Sequence, residues 1–385
     1  MKLARFYNPR GLRIIKGEGQ YVWDHDGRKY LDCHTGHGAA FLGHRNRWVV
    51  EELKRQLDEI TIASPVFQTD IMEEAVQALE KILPKNLTYF YLLNAGSEAV
   101  ELALKTARKV TGRKKFISFI NAFHGRTMAA LGVTWNRKYR EGYDPFPWDV
   151  EFLPYDDPEA VETAVDEDTA AVIAEPVQGE GGLAAASPEF LKAIREACDR
   201  TGALMILDEV QSGFGRTGVL WAHQRAGVRP DILVAGKSIG GGFPVSLTAF
   251  SEEVGSKLAP GAHGSTFGGN PLALAALKGG ITAFFEDRVA EKAERMGALL
   301  RRTLEEVVEE SSLARRVRGM GLMIGVELRI NPTKAIQVLQ QKGIIALRAG
   351  LTVLRFLPPY VINEEDVENI GSTLKEALNE LAQQK

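Results

Sequence analysis

Cysteine is scarce. Cys33 and Cys198 are the only two in 385 residues, so at most one intramolecular disulfide could form, and a disulfide-stapled miniprotein is excluded. No stretch approaches the roughly 20 apolar residues of a membrane span, and the opening MKLARFYNPRG lacks the apolar centre of a signal peptide. These shortages lead us to expect a soluble, cytoplasmic protein in a reducing compartment. Neither sign of charge dominates: 47 Lys and Arg face 50 Asp and Glu, for a net charge of −3. No global field therefore draws the chain to nucleic acid or anionic lipid, and any such partner needs a local patch. Fixed-period repeats, low-complexity tracts and Ser/Pro-rich linkers are also missing. What remains, 45% hydrophobic and 25% charged residues, is globular, with room for two or three domains at about 150 residues each.

The middle of the chain alternates short β-rich runs with amphipathic segments. Phe116–Phe119, Ala171–Ala174, Leu204–Leu207 and Ile232–Ala235 have the length and apolarity of buried strands, which signals α/β layers. One helix is predicted to begin near Ser97, with Val100, Ala103, Leu104, Ala107 and Val110 at helical spacing. Ser187-Pro188 and Asn270-Pro271 each read as a cap followed by a first-turn proline, and Asn363 precedes a closing helix. The last hundred residues read as a separate, helix-rich lobe.

Two glycine motifs mislead. Gly213-Phe-Gly-Arg-Thr-Gly218 matches GxGxxG, yet five residues part it from Leu207, and the nearest later acid, Asp231, precedes a strand rather than ending one. Gly236-Lys237-Ser238 imitates the end of a P-loop whose first glycine would fall on Asp231. Cys33, His34 and His37 lack a second matching pair, so a glycine-rich turn competes with a metal site and no metal is assigned.

A more coherent pattern starts at Asp208, an acid at the carboxyl end of a buried strand, where open α/β sheets place their ligands. Lys237 follows the next strand and precedes a glycine-rich turn; burial there lowers a lysine's pKa and frees the amine for Schiff-base chemistry. Asn94-Ala-Gly96-Ser97 opens a helix, offering unpaired amides and a hydroxyl to a dianion. Lysine, carboxylate and helix start together suit pyridoxal 5'-phosphate, which needs an amine to bond, an acid for its ring nitrogen and N–H groups for its phosphate.

In their order, these motifs resemble the class III, fold-type I aminotransferases over nearly the whole chain. The resemblance rests on Asn94–Ala99, Ala122-Phe-His-Gly-Arg-Thr127, Glu175-Pro-Val-Gln-Gly-Glu-Gly-Gly182, Asp208-Glu-Val-Gln211, Gly213–Gly218, Lys237, Gly264–Pro271 and Val317–Gly325. It implies a large domain with a mostly parallel seven-stranded sheet flanked by helices, plus a smaller α+β domain. The expected division is residues 1–50 contributing to the small domain, 51–285 the large cofactor-binding domain, and 286–385 the C-terminal small domain. It further implies that Lys237 forms the Schiff base and shuttles the proton, that Asp208 pairs with the ring nitrogen, and that Gly96 and Ser97 hold phosphate. Phe123 is implied to stack on the ring, Val210 to pack opposite it and Gln211 to meet the phenolic oxygen. Thr266 is implied to arrive from the other subunit of a homodimer.

For substrate, the resemblance places Arg126 on a carboxylate, Arg355 on the α-carboxylate of glutamate, and Glu180 as the movable partner of Arg355 when glutamate is absent. A fixed structural ion pair is the competing account of Glu180 and Arg355. The resemblance, the opening Arg5–Leu12 stretch included, is strongest to acetylornithine aminotransferases and especially to the enzyme acting on lysine attached to an acidic amino-group carrier protein. Such a partner would favour a positive rim, and from Lys105 through Arg140 there are ten Lys and Arg with no Asp or Glu. Docking at Lys114 and Lys115 is one expectation from that run; a merely solvated face is the other. The expected activity is terminal-amine transfer between glutamate or 2-oxoglutarate and carrier-bound lysine or ornithine precursors. N-acetylornithine as a free substrate, and a non-catalytic partner-binding protein of the same fold, stay open.

Overall fold

The computed structural model describes residues 4–383. Seven strands form the central sheet, in the spatial order Leu87–Leu93, Ser246–Ser251, Ile232–Ala235, Leu204–Asp208, Thr169–Ala174, Lys115–Phe119 and Asp149–Leu153. Ser246–Ser251 runs antiparallel to both neighbours, and every other adjacent pair is parallel. Helices on both faces explain why these strands are apolar runs rather than alternating ones. Ala171 and Ile173 face one core with Val100, Leu104 and Ala107, while Val172 and Ala174 face the other with Phe190 and Ile194. Each fully buried Val, Ile or Phe in these layers contributes roughly 1.5–3 kcal/mol of burial free energy.

The helix starts are chemically legible. Ser187 Oγ accepts from Phe190 N at 3.2 Å before the helix Pro188–Thr201, and Asn270 Oδ1 accepts from Ala273 N at 3.0 Å before Pro271–Glu286. Asn363 and Asp366 cap Glu364–Gln383 reciprocally, each side chain accepting from the other's N–H. The helix expected near Ser97 runs Gly96–Thr111, with Ala95 rather than a hydroxyl residue in the cap position, and closes on Gly112 at φ +74°.

The C-terminal segment is rich in helix, as expected, and adds a sheet. Besides the helices Val289–Glu310, Thr333–Gln341 and Glu364–Gln383, it holds an antiparallel sheet ordered Ala314–Met320, Met323–Leu328, Val353–Phe356 and Leu347–Ala349. Ala314–Met320 carries Arg315, Arg316 and Arg318 without a regular inside–outside alternation, so its strand signal is weak. A further sheet joins Ile14–Glu18, Tyr21–Asp24 and Lys29–Asp32 to the distant Ile344–Ile345, which pairs in parallel with Leu31 and Asp32. Among the described residues, no helix is long and apolar enough to cross a membrane, and both cysteines are buried and unpaired.

One edge of the central sheet collects the chemistry. Six of the seven strands share one direction, and five of them, Leu87–Leu93, Ile232–Ala235, Leu204–Asp208, Thr169–Ala174 and Lys115–Phe119, bring their carboxyl ends to this edge with functional loops behind them. They lead into Asn94–Ser97, Gly236–Lys237, Asp208–Gln211, Glu175–Gly182 and Ile120–Arg126 respectively.

Candidate active site

Lys237 follows the strand Ile232–Ala235, which ends two residues earlier than the lysine, and opens the short 3-10 turn Lys237–Gly240. Its backbone sits in the left-handed region at φ +48°, a strained conformation for a residue with a side chain. Among the described residues its amine has no ion-pair partner. Burial, the largest influence, acts with Arg355 and Arg216 to push the ammonium down to about 8, against the pull of Glu180 and Asp208.

Asp208 ends its strand with 5% of its surface exposed. Its Oδ2 lies 2.8 Å from His124 Nδ1, and its Oδ1 accepts from Val210 N at 3.0 Å. The imidazole therefore carries its hydrogen on Nδ1 and steers the carboxylate. His124 Nε2 is buried without a partner among the described residues, a polar atom that awaits one. Nearby, Glu175 accepts from Phe123 N at 3.0 Å and Gly179 N at 2.9 Å. Burial, reinforced by Asp208 and opposed by His124 and those two donors, pushes its carboxyl up to about 7.

The phosphate cradle is built by close approach. A Cβ on Gly96 would stand 2.8 Å from Val210 Cγ1, and one on Gly125, at φ +142°, would stand 2.6 Å from Ser97 Cβ. Glu98 Oε2 accepts from Asn94 N and Ala95 N. The amides of Gly96 and Ser97, first in a 16-residue helix, have no intrahelical acceptor and remain for an anion. The unpaired amine, the steered carboxylate, the open amides and the orphaned His124 nitrogen fit pyridoxal phosphate.

Beside this cradle, Arg355 is 1% exposed on Val353–Phe356. Its Nη2 donates to Glu180 Oε1 at 2.7 Å, and its Nη1 donates to Gly179 O at 2.8 Å and Gln211 Oε1 at 3.0 Å. Although burial opposes it, Arg355 and Lys237 hold the Glu180 carboxyl below its usual range. A Cβ on Gly179 would press within 2.3 Å of Gln211 Oε1, so that glycine lets the glutamine reach the arginine. Glu180 also lines an open cavity of about 1060 Å³, with Arg137, Lys138, Arg140, Arg318 and Arg348 in its wall and no other acid there.

Lys237, Asp208, Gly96, Ser97, Val210, Gln211, Glu180 and Arg355 thus converge on one region. Phe123 borders it, half-buried, with Arg126 beside it; the Arg126 guanidinium lies over Tyr139, 3.5 Å from its ring centroid. Thr266 sits apart on an exposed loop. Gly213–Gly218 is a turn with Phe214, Gly215 and Gly218 at positive φ, not a strand-to-helix junction, which removes the dinucleotide reading. Around Cys33 the geometry offers no metal cluster: His34 Nδ1 accepts from His37 N, and among the described residues no group of three His, Cys, Asp or Glu could hold an ion.

Of the two lysines expected at a docking patch, Lys114 is exposed and Lys115 is engaged. Lys115 starts its strand at the opposite edge of the sheet, where its amine pairs with Asp166 at 2.8 Å and Glu151 at 3.2 Å. Of that basic run, it is the far end, Arg137 to Arg140, that reaches the cavity, where Arg318 and Arg348 join it. Sequence reasoning assigned no role to His124, Glu175, Arg216 or His37. The first three lie inside quoted motifs, and their long-range partners gave no local signal.

A buried lysine beside a strand-end aspartate and a helix-start anion cradle, on a mostly parallel sheet, defines a pyridoxal-phosphate-dependent fold-type I transferase. Residues 4–378 match the family "Aminotransferase class-III", and the chain belongs to that family of pyridoxal-phosphate enzymes. It is 51% identical to a [LysW]-aminoadipate semialdehyde/glutamate semialdehyde transaminase of Sulfolobus acidocaldarius, covering 98% of this chain and 97% of the relative. An acetylornithine aminotransferase of Methanopyrus kandleri is 43% identical, covering 97% and 95%. Among solved structures, an ornithine aminotransferase from Toxoplasma gondii, described as having partial occupancy of PLP at its active site, superposes with a TM-score of 0.94. It is 33% identical, with 99% of this chain and 92% of that one covered.

Proposed function

We propose that this aminotransferase moves a terminal amino group between glutamate or 2-oxoglutarate and a lysine or ornithine precursor whose α-amine is linked to an acidic carrier protein. The observation that carries the reading is the cavity beside Glu180, whose wall holds five Arg and Lys against one acid. The 51% and 50% identities to carrier-named transaminases support it. A substrate tethered to a protein needs an open approach, and an acidic tether is attracted to a positive rim.

Bound pyridoxal phosphate supplies the electron sink that labilises a C–H bond next to the transferred nitrogen. In this reading Lys237 Nζ would hold it covalently, and the same amine would take and return that proton. Asp208, steered by His124, holds the ring nitrogen protonated, while the Gly96 and Ser97 amides and the Ser97 hydroxyl hold the phosphate. Phe123 and Val210 would pack against its ring, and the Gln211 side-chain N–H group, left free by Arg355, would donate to its phenolic oxygen. Arg126 takes a carboxylate of the longer substrate. Arg355 takes the α-carboxylate of glutamate after Glu180 swings away, so one site accepts two substrates of different charge.

Thr266 acts in a partner subunit's cradle within a homodimer; the exposed Val66, Phe67 and Phe267 support such an interface. Residues 1–50 and 286–385 form one small lobe around the large domain 51–285, a division supported by the pairing of Leu31 with Ile344. The test replaces Arg137 and Lys138 by glutamate. KM for the carrier-linked substrate should rise at least about tenfold and lose salt sensitivity, while KM for N-acetylornithine holds. Equal effects on both substrates would favour the free small molecule as the substrate.

A further inference from the structure

Arg216 is a fully buried charged side chain that the proposed reaction leaves unused. It lies in the Gly213–Gly218 turn, is 0% exposed, and has no carboxylate within ion-pair distance among the described residues. Its Nε donates to Gln211 O at 2.8 Å, and its Nη2 donates to Ser238 Oγ at 2.9 Å and to Gly38 O. The guanidinium covers Phe41, 4.4 Å from the ring centroid, and Nη1 is buried with no partner. Burial and Arg355 push it down to about 9, which leaves it charged at neutral pH.

As a source of stability this is a poor arrangement. A buried cation without a counter-ion loses its hydration, and here it also faces two other cations. What it gains is position. Each of its anchors belongs to a segment that carries a site residue: Gln211, which holds Arg355; Ser238, which follows Lys237; and Gly38, which follows His37. Ser238 is the nearest, and Lys237 itself is in a left-handed conformation that the surroundings must maintain. The charges facing the Lys237 amine are Arg216 and Arg355 on the repulsive side and Glu180 and Asp208 on the attractive side, and the His37 imidazole is close enough to feel the same lysine.

We propose that Arg216 is a positioning residue for Lys237: it ties the Lys237–Ser238 turn to Gln211 and Gly38 and seats its charge against that turn. This rests on the assignment of Lys237 as the cofactor-bonding lysine. Three variants separate the two contributions. Arg216→Lys keeps the charge and loses the fork, Arg216→Gln loses the charge, and Ser238→Ala removes one anchor while leaving the arginine in place.

The readouts are the pH midpoint of the bound cofactor's absorbance change, with kcat and KM determined separately. Arg216→Gln should move the midpoint to higher pH. Arg216→Lys and Ser238→Ala should leave it near the parent while lowering kcat on the order of 10- to 100-fold with little change in KM, as misplacement of a reacting group does. Ser238→Ala carries the test if the arginine variants fail to fold. Variants that lose thermal stability but keep the parent midpoint and kcat overturn the inference alone. A parent whose reduced cofactor label maps to another lysine overturns the underlying assignment, and the inference with it.

Discussion

Replacing Glu180 by alanine separates a movable switch from a fixed ion pair. In the resting protein Arg355 is held by Glu180 at 2.7 Å, so glutamate must displace that contact before its α-carboxylate can bind. A charge-assisted hydrogen bond contributes about 1.5–3 kcal/mol. The Glu180 side chain is 28% exposed, so solvent screening argues for the lower end, about 1.5 kcal/mol. At about 1.4 kcal/mol per tenfold, the variant should bind glutamate roughly tenfold more tightly. The guanidinium stays in place because Gly179 O and Gln211 Oε1 still accept from it. The terminal-amine substrate, which brings no carboxylate to that position, then meets an unneutralised buried cation and should react about tenfold less efficiently. Measuring the two half-reactions separately by the cofactor's absorbance in single turnovers reads both numbers, and their ratio should shift on the order of 100-fold. If both halves weaken equally, the pair is a structural strut and the switch is refuted.

Two further expectations concern the cofactor cradle. Gly96→Ala places a methyl 2.8 Å from Val210 Cγ1, and such overpacking costs typically 1–3 kcal/mol, so pyridoxal phosphate should bind about tenfold or more weakly by fluorescence titration. Unchanged affinity would remove Gly96 from the cradle. Because the Lys237 amine is pulled from its ordinary 10.5 to about 8, uptake of pyridoxal phosphate by the apoenzyme should accelerate with pH and level off above about 8. The unfolded chain then binds more protons between those two values, so apoenzyme stability should gain from this group as pH rises across that window. An uptake rate still climbing toward 10 would show an ordinary lysine.

The parallel sheet could be read from the sequence because its strands are two-faced apolar runs, and Thr169–Ala174 is buried at every position. Ser187-Pro188 and Asn270-Pro271 announced their helices because capping is a local interaction. Asp208 was visible as a polar residue ending such a strand, and Lys237 as one just beyond the next. The link from His124 to Asp208 spans 84 positions, and that from Arg216 to Gly38 spans 178. No periodicity or spacing rule encodes either one. The small sheets escaped for a related reason: Ile344–Ile345 is two residues long, and its pairing with Leu31–Asp32 is decided by the tertiary fold. The basic run from Lys105 to Arg140 shows the opposite failure. Its composition was plain, but the fold sends Lys115 to one edge of the sheet and Arg137 to the other.

The central claim is that a single lysine bonds the cofactor opposite Asp208. Borohydride reduction of the loaded enzyme, followed by digestion and mass mapping, tests it most directly. The account predicts one reduced pyridoxyl adduct, on the peptide containing Lys237, and none after Lys237→Ala; an adduct on any other lysine, or no adduct in the parent, would contradict it.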